Sequence, residues 1–233
     1  MDQEKQELKS SLFFTIKLAF ILLMVQVFQS ATGIDLGGFG VFPRNQYGLI
    51  GILLGPMVHG SWSHLFSNLP PLMVTVFLIH YFYREYFWRI FLSCYFLTGI
   101  AVWIFSREVY HIGISGVVYA LVSFLFFAGI FVRNLISIVL SLLVLMLYSG
   151  VVAGVLPTQE ILEKNISWES HLLGAIAGAV IAWMFRRLLI DLGRKNYPPP
   201  PPEMPEQQKY FFDPDVFEKT KWERQRENEQ HLF

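Results

Sequence analysis

Apolar residues in this chain fall in long unbroken blocks, not in the short amphipathic periods that fill a soluble core. A helix needs roughly 20 apolar residues to cross the hydrocarbon of a bilayer. Blocks approaching that length run from Leu12 to Phe28, His64 to Phe82, Phe87 to Phe105, Ile112 to Phe131, Leu135 to Leu156 and Trp168 to Leu189. The pattern predicts an all-α membrane protein: a six-transmembrane-helix bundle over residues 12–190, preceded by a short segment, 1–11. The first block ends in Gln29-Ser30-Ala31-Thr32-Gly33, without a small-x-small cleavage site, and further spans follow, so it reads as a retained helix rather than a secretory signal. Between the first two spans, Leu49 to Pro56 is too short to cross and too apolar for water, and is expected to lie in the interfacial plane.

After the sixth block the composition changes. Pro198 through Pro202 are all proline, a stiff spacer, and the remainder of residues 191–233 is charged with scattered aromatics. Val216 to Gln230 could form a short helix in this tail. The tail could recruit a cytoplasmic partner, although a solvated extension is the weightier reading.

Charge adds an orientation. Lys and Arg number 18 and Asp and Glu 18, so no basic field argues for nucleic acid, and the 54% hydrophobic content belongs to membrane proteins. Counting alternate connections, one side of the bundle carries Lys5, Lys9, Arg84, Arg89, Arg133, Arg186, Arg187, Arg194 and Lys195, the other Arg44, Arg107 and Lys164. Cytoplasmic loops retain the positive charge, so both termini are predicted cytoplasmic in a multi-pass protein of a bacterial inner membrane. The lone cysteine, Cys94, lies within a span and reads as a small buried hydrophobe.

Polar side chains in spans are costly, and three groups fall at outward helix ends. Ser115, in Gly113-Ile114-Ser115-Gly116, opens the fourth span, where free backbone N–H groups and the helix dipole favour a developing oxyanion. Taken alone, such a motif equally serves helix packing or capping. His171 opens the sixth span, with Gly174 and Gly178 on the same face, opposite a small face of the fourth span made by Gly116 and Ala120. Two smooth faces bearing a serine and a histidine at one depth offer a nucleophile and a general base, the alternative being a packing histidine satisfied by backbone or water. Tyr119, one turn below Ser115, could stack on the imidazole. Glu169 is two residues from His171 and should point elsewhere, so a dyad is indicated and not a triad. Entering the second span, His64 and Asn68 share a face and can donate hydrogen bonds to an oxyanion, with His59 just upstream. Two histidines also invite a metal, but no His-Glu-x-x-His is present and none is expected.

Together, His59, His64 and Asn68, the Gly113-Ile114-Ser115-Gly116 motif with Tyr119, and His171 with Gly174 and Gly178 resemble the rhomboid intramembrane serine proteases across roughly Gly40 to Phe185. The resemblance implies a six-helix fold without cofactor, metal or ATP, acting on transmembrane protein substrates within the lipid bilayer. It implies Ser115 as nucleophile and His171 as base and acid, with an oxyanion hole of His64, Asn68 and the Ser115 N–H. Tyr119 would pack under His171, Gly113 and Gly116 would shape the nucleophile loop, and His59 would hold the first outward loop. Departures are Arg44 after Pro43, where many relatives carry a Trp-Arg pair, and Ser170, where alanine is frequent. The connection Pro157 to Ser167 is then expected to cap the site, and the fifth span to gate substrate entry.

Two rivals remain at this level. A catalytically inactive relative that binds membrane helices without cutting them usually lacks the serine or the histidine, and this chain has both. A transporter would need polar groups along a path, whereas here they gather at one depth.

Overall fold

The computed structural model describes residues 2–132, 139, 167–196, 220–223 and 226. The apolar blocks within these residues fold as α1 (Asp2–Thr32), α3 (Trp62–Phe82), α4 (Phe87–Phe105), α5 (Ser115–Val132) and α6 (Trp168–Met184). The short α2 (Ile50–Leu54) lies in the first long connection, and α7 (Arg186–Asn196) follows α6. Among the described residues the only extended pairing is an isolated bridge between Val41 and His111. The chain is a helical membrane bundle: α1, α3, α4 and α5 are each long and apolar enough to cross a bilayer, and α6 with α7 would add a fifth crossing if the bent pair is one span. The expected span Leu135 to Leu156 apart from Val139, the connection Pro157 to Ser167 apart from Ser167, and the run Pro198 to Pro202 lie outside the described residues.

The helices are apolar on every side, as bundle helices in lipid are. On α4, Ile90, Cys94 and Thr98 are buried in the bundle while Trp88, Leu92, Phe96, Ile100 and Ile104, one turn apart, are exposed. On α1, Phe13, Phe20, Met24 and Phe28 are exposed in the same way. Such stripes meet lipid tails rather than water. The core runs through Leu65, Leu72 and Val76 of α3, Ile90 and Cys94 of α4, and Leu121 and Phe124 of α5.

The sixth apolar block, Trp168 to Leu189, is not one straight helix: α6 ends at Met184, and the chain turns by 63° into α7. Arg186 and Arg187 explain the turn, because two guanidinium groups are stable at the interface and not in hydrocarbon. Arg186 bonds the Trp183 carbonyl at 2.9 Å and lies over its indole at 4.4 Å. The chain divides into two compact units, Met1–Gly193 and Arg194–Phe233. In the second, Thr220 caps the turn at Glu223, its N–H and hydroxyl each 2.7 Å from the carboxylate.

The first long connection is tied down despite lacking a Trp-Arg pair. Arg44 adopts a positive φ of 56°, and its guanidinium donates to the carbonyls of Ile104 (3.2 Å) and Ser106 (2.7 Å) at the open end of α4 and pairs with Glu108. Trp103 returns a bond from its indole N–H to the Asn45 carbonyl at 3.0 Å. The connection thus supplies donors to carbonyls that helix termination leaves free. Deeper in, the Tyr95 hydroxyl donates to the Leu53 carbonyl at 2.5 Å, docking α2 on α4.

The tightest contact in the bundle joins α5 to α6. A Cβ on Gly174 would collide with the Gly116 carbonyl, and one on Gly178 with the Ala120 carbonyl. Only glycine admits such backbone approach. Gly178→Ala is therefore expected to lower stability in detergent by about 1–3 kcal/mol, as overpacking does. Gly38→Ala, where a Cβ meets nothing within 4 Å, is expected to stay within about 0.5 kcal/mol. Thermal unfolding of the two variants checks the contrast.

Candidate active site

The glycine contact brings together side chains that stand 56 residues apart: His171 Nε2 lies 2.9 Å from Ser115 Oγ. Both residues are buried, at 8% and 7% exposure, so the hydrogen bond forms away from bulk water. Ser115 is the first residue of α5, where the backbone N–H has no acceptor within its own helix. The Tyr119 ring stacks on the imidazole, with centroids 4.2 Å apart and planes 10° from parallel. That contact holds the ring orientation that a carboxylate would otherwise hold. Glu169 points away, as its position on the helix demanded, and pairs with Arg107 at 3.1 Å.

A second serine–histidine contact shows what distinguishes the first. Ser11 Oγ lies 2.8 Å from His80 Nδ1 at the opposite end of the bundle, yet its hydroxyl donates to the Glu7 carbonyl at 3.0 Å and it sits inside α1, fully buried. A hydroxyl hydrogen committed to a carbonyl is not available to a base, and mid-helix N–H groups are taken by the helix. Ser115 has a histidine and a helix N-terminus together; Ser11 has the histidine alone.

The remaining expected residues sit on α3, on the approach to α5 and on its first turn. Ser61 caps α3 by accepting from the His64 N–H at 3.1 Å, which fixes the start of the helix that carries His64 and Asn68. The Asn68 amide donates to the His64 carbonyl at 2.8 Å, leaving its second N–H for another acceptor. Gly113 has φ of 99°, and a Cβ there would meet the His64 imidazole at 2.7 Å. Glycine at 113 therefore lets the ring of His64 come to the loop that delivers Ser115. Gly116 faces the Ser170 carbonyl, 3.0 Å from where its Cβ would be.

His59 links three segments. Its carbonyl accepts from Gln29 of α1 at 3.0 Å, its Nε2 accepts from the Ile114 N–H at 3.4 Å, and its ring meets that of His64 edge-on at 5.1 Å. Burial, with the neighbouring His64 adding to it, pushes its pKa down to about 4. Among the described residues no cluster of three or more His, Cys, Asp or Glu side chains could hold a metal ion.

One group was not visible in the sequence pattern. His111 is buried, its Nδ1 2.5 Å from Ser167 Oγ and its Nε2 3.0 Å from the Arg107 carbonyl. It lies in the connection before α5, where no helical periodicity assigns a face. A histidine four residues before the serine, in an otherwise apolar approach, was the available signal. Burial lowers its pKa, against which the Arg107 carbonyl and Glu169 act weakly.

Comparison with known proteins bears on this arrangement. The profile of the Rhomboid domain matches residues 46–188, which include every residue of the cluster from His59 to Gly178. The chain belongs to the rhomboid family. It is 32% identical over 172 residues to proteins of Mycobacterium tuberculosis and Mycobacterium bovis described as uncharacterized, covering 70% of this chain and 70% of each relative. A Mycobacterium leprae protein, also described as uncharacterized, is 32% identical over 67% of its length. No solved structure gives a significant match. This rhomboid is therefore an integral, multi-pass membrane protein, whose relatives carry no stated activity.

The His59 environment makes stability depend on pH. Because its folded value of about 4 lies below the free value of 6.5, the unfolded chain takes up the proton first as pH falls. The contribution is intact above 6.5 and is lost by about 4, amounting to about 3 kcal/mol at most. His59→Gln, which retains an acceptor but cannot be protonated, is expected to flatten the thermal-stability profile over that interval.

Proposed function

We propose that this rhomboid is an intramembrane serine endopeptidase that hydrolyses peptide bonds in or near transmembrane helices of other membrane proteins. The observation that carries the reading is the Ser115–His171 hydrogen bond at a helix N-terminus, 2.9 Å long, with Tyr119 under the imidazole. Ser115 Oγ attacks the scissile carbonyl while His171 Nε2 accepts its proton. The tetrahedral oxyanion receives hydrogen bonds from the Ser115 N–H and the side chains of His64 and Asn68. Collapse expels the amine with the proton from His171 and leaves an acyl ester on Ser115. Water, deprotonated by His171, then releases the acid and restores the hydroxyl.

The site's depth supports hydrolysis. The ends of α3, α5 and α6 that carry His64, Ser115 and His171 lie beside the outward connections, where water can reach them while the substrate helix remains in lipid. Family membership supports substrates whose helices contain small residues and unwind readily. The basic residues at the other end of the bundle support cytoplasmic termini, and the mycobacterial relatives support a bacterial inner membrane.

With a transmembrane substrate in proteoliposomes, Ser115→Ala and His171→Ala are each expected to abolish cleavage while preserving the fold. Asn68→Ala is expected to lower kcat by about 10-fold or more. Undiminished cleavage in either Ser115→Ala or His171→Ala would contradict the mechanism.

A further inference from the structure

His111 has two engaged nitrogens and 4% exposure, yet the chemistry proposed above does not use it. A carbonyl can only accept, so the bond to the Arg107 carbonyl puts the ring hydrogen on Nε2 and leaves Nδ1 as an acceptor. Ser167 therefore donates its hydroxyl hydrogen to Nδ1. Its oxygen, 2.6 Å from Ser170 Oγ, accepts in turn from Ser170. The result is a directed chain from Ser170 through Ser167 and His111 to the Arg107 carbonyl. Beside it runs the Arg107–Glu169 ion pair. His111 is itself fixed by paired backbone bonds to Val41, each 2.9 Å.

The Ser170 end of this chain adjoins both members of the dyad. Ser170 immediately precedes His171, and its carbonyl abuts Gly116, which immediately follows Ser115. The glycine faces of α5 and α6 set how closely the helices approach, but small residues offer few knobs to stop one helix sliding along the other. The next polar tie, from Ser123 Oγ to the Ala175 carbonyl at 2.7 Å, lies about two turns deeper. A displacement of about 1 Å at a reacting pair can cost on the order of 100-fold in rate.

We propose that His111 is a positioning residue for the Ser115–His171 pair, holding the first turn of α6 in register against the segment that leads into Ser115 through its hydrogen bond to Ser167 and, by way of Ser167, to Ser170. The proposal rests on reading that pair as a catalytic dyad. His111 touches no reacting atom; it acts through the two serines.

The test compares His111→Phe, which keeps a ring and removes both nitrogens, with His111→Asn, which returns an acceptor near the Nδ1 position, and with Ser167→Ala. In proteoliposomes with a transmembrane substrate, His111→Phe and Ser167→Ala are expected to lower kcat by about 10-fold or more with KM held within about 2-fold. His111→Asn is expected to recover most of the loss. The double variant His111→Phe/Ser167→Ala is expected to be no slower than His111→Phe, because both changes break one chain. Full kcat in His111→Phe or in Ser167→Ala, or equal losses in His111→Phe and His111→Asn, would overturn the proposal. If His111→Phe fails to fold, Ser167→Ala, which deletes a single oxygen, decides alone. Wild type without Ser115-dependent cleavage would remove the dyad reading and this inference together. Active wild type matched by His111→Phe would remove only the inference.

Discussion

The backbone-to-backbone approach of α5 and α6 governs the rest of this molecule. Lipid tails are as apolar as leucine, so no hydrophobic force drives helices together inside a bilayer; close van der Waals packing and a few polar bonds must do so. Gly174 against the Gly116 carbonyl and Gly178 against the Ala120 carbonyl supply the packing. The bonds from Ser123 to Ala175 and from Ser115 to His171 supply the polar part. A methyl group at either glycine would separate the helices and, with them, the hydroxyl and the imidazole. Fold and site thus share one contact.

The connections at the end of the bundle that carries Ser115 serve that contact. Arg44 ties the first connection to the end of α4, His59 joins α1 to the residue before Ser115, and His111 ties the approach of α5 to the start of α6. Each uses a side chain to satisfy backbone groups or hydroxyls that would otherwise be buried without partners. The apolar core between the helices holds residues such as Leu72, Ile90 and Phe124.

Much of this was legible along the chain, for definite reasons. Apolar block length located the helices, to the residue for Phe87–Phe105, because bilayer thickness sets one dimension. Helical spacing placed Gly174, Gly178 and His171 on one face and Tyr119 below Ser115. The bend after Met184 was not legible because apolar content continues through Leu188 to Ile190 across the arginines at 186 and 187. The anchoring by Arg44 was not legible, since nothing local shows that α4 ends opposite it. His111 was missed because its partners, Ser167 and Ser170, are more than fifty residues away and no periodicity links a loop to a helix start.

Reaction of the intact protein in membranes with a fluorophosphonate, followed by peptide mass spectrometry, tests most directly whether the buried hydroxyl of Ser115 is activated by His171. The expected result is one adduct, on Ser115, that vanishes in His171→Ala although Ser115 is still present. Folded wild type that takes up no reagent, or equal labelling of Ser115 in wild type and His171→Ala, would contradict it.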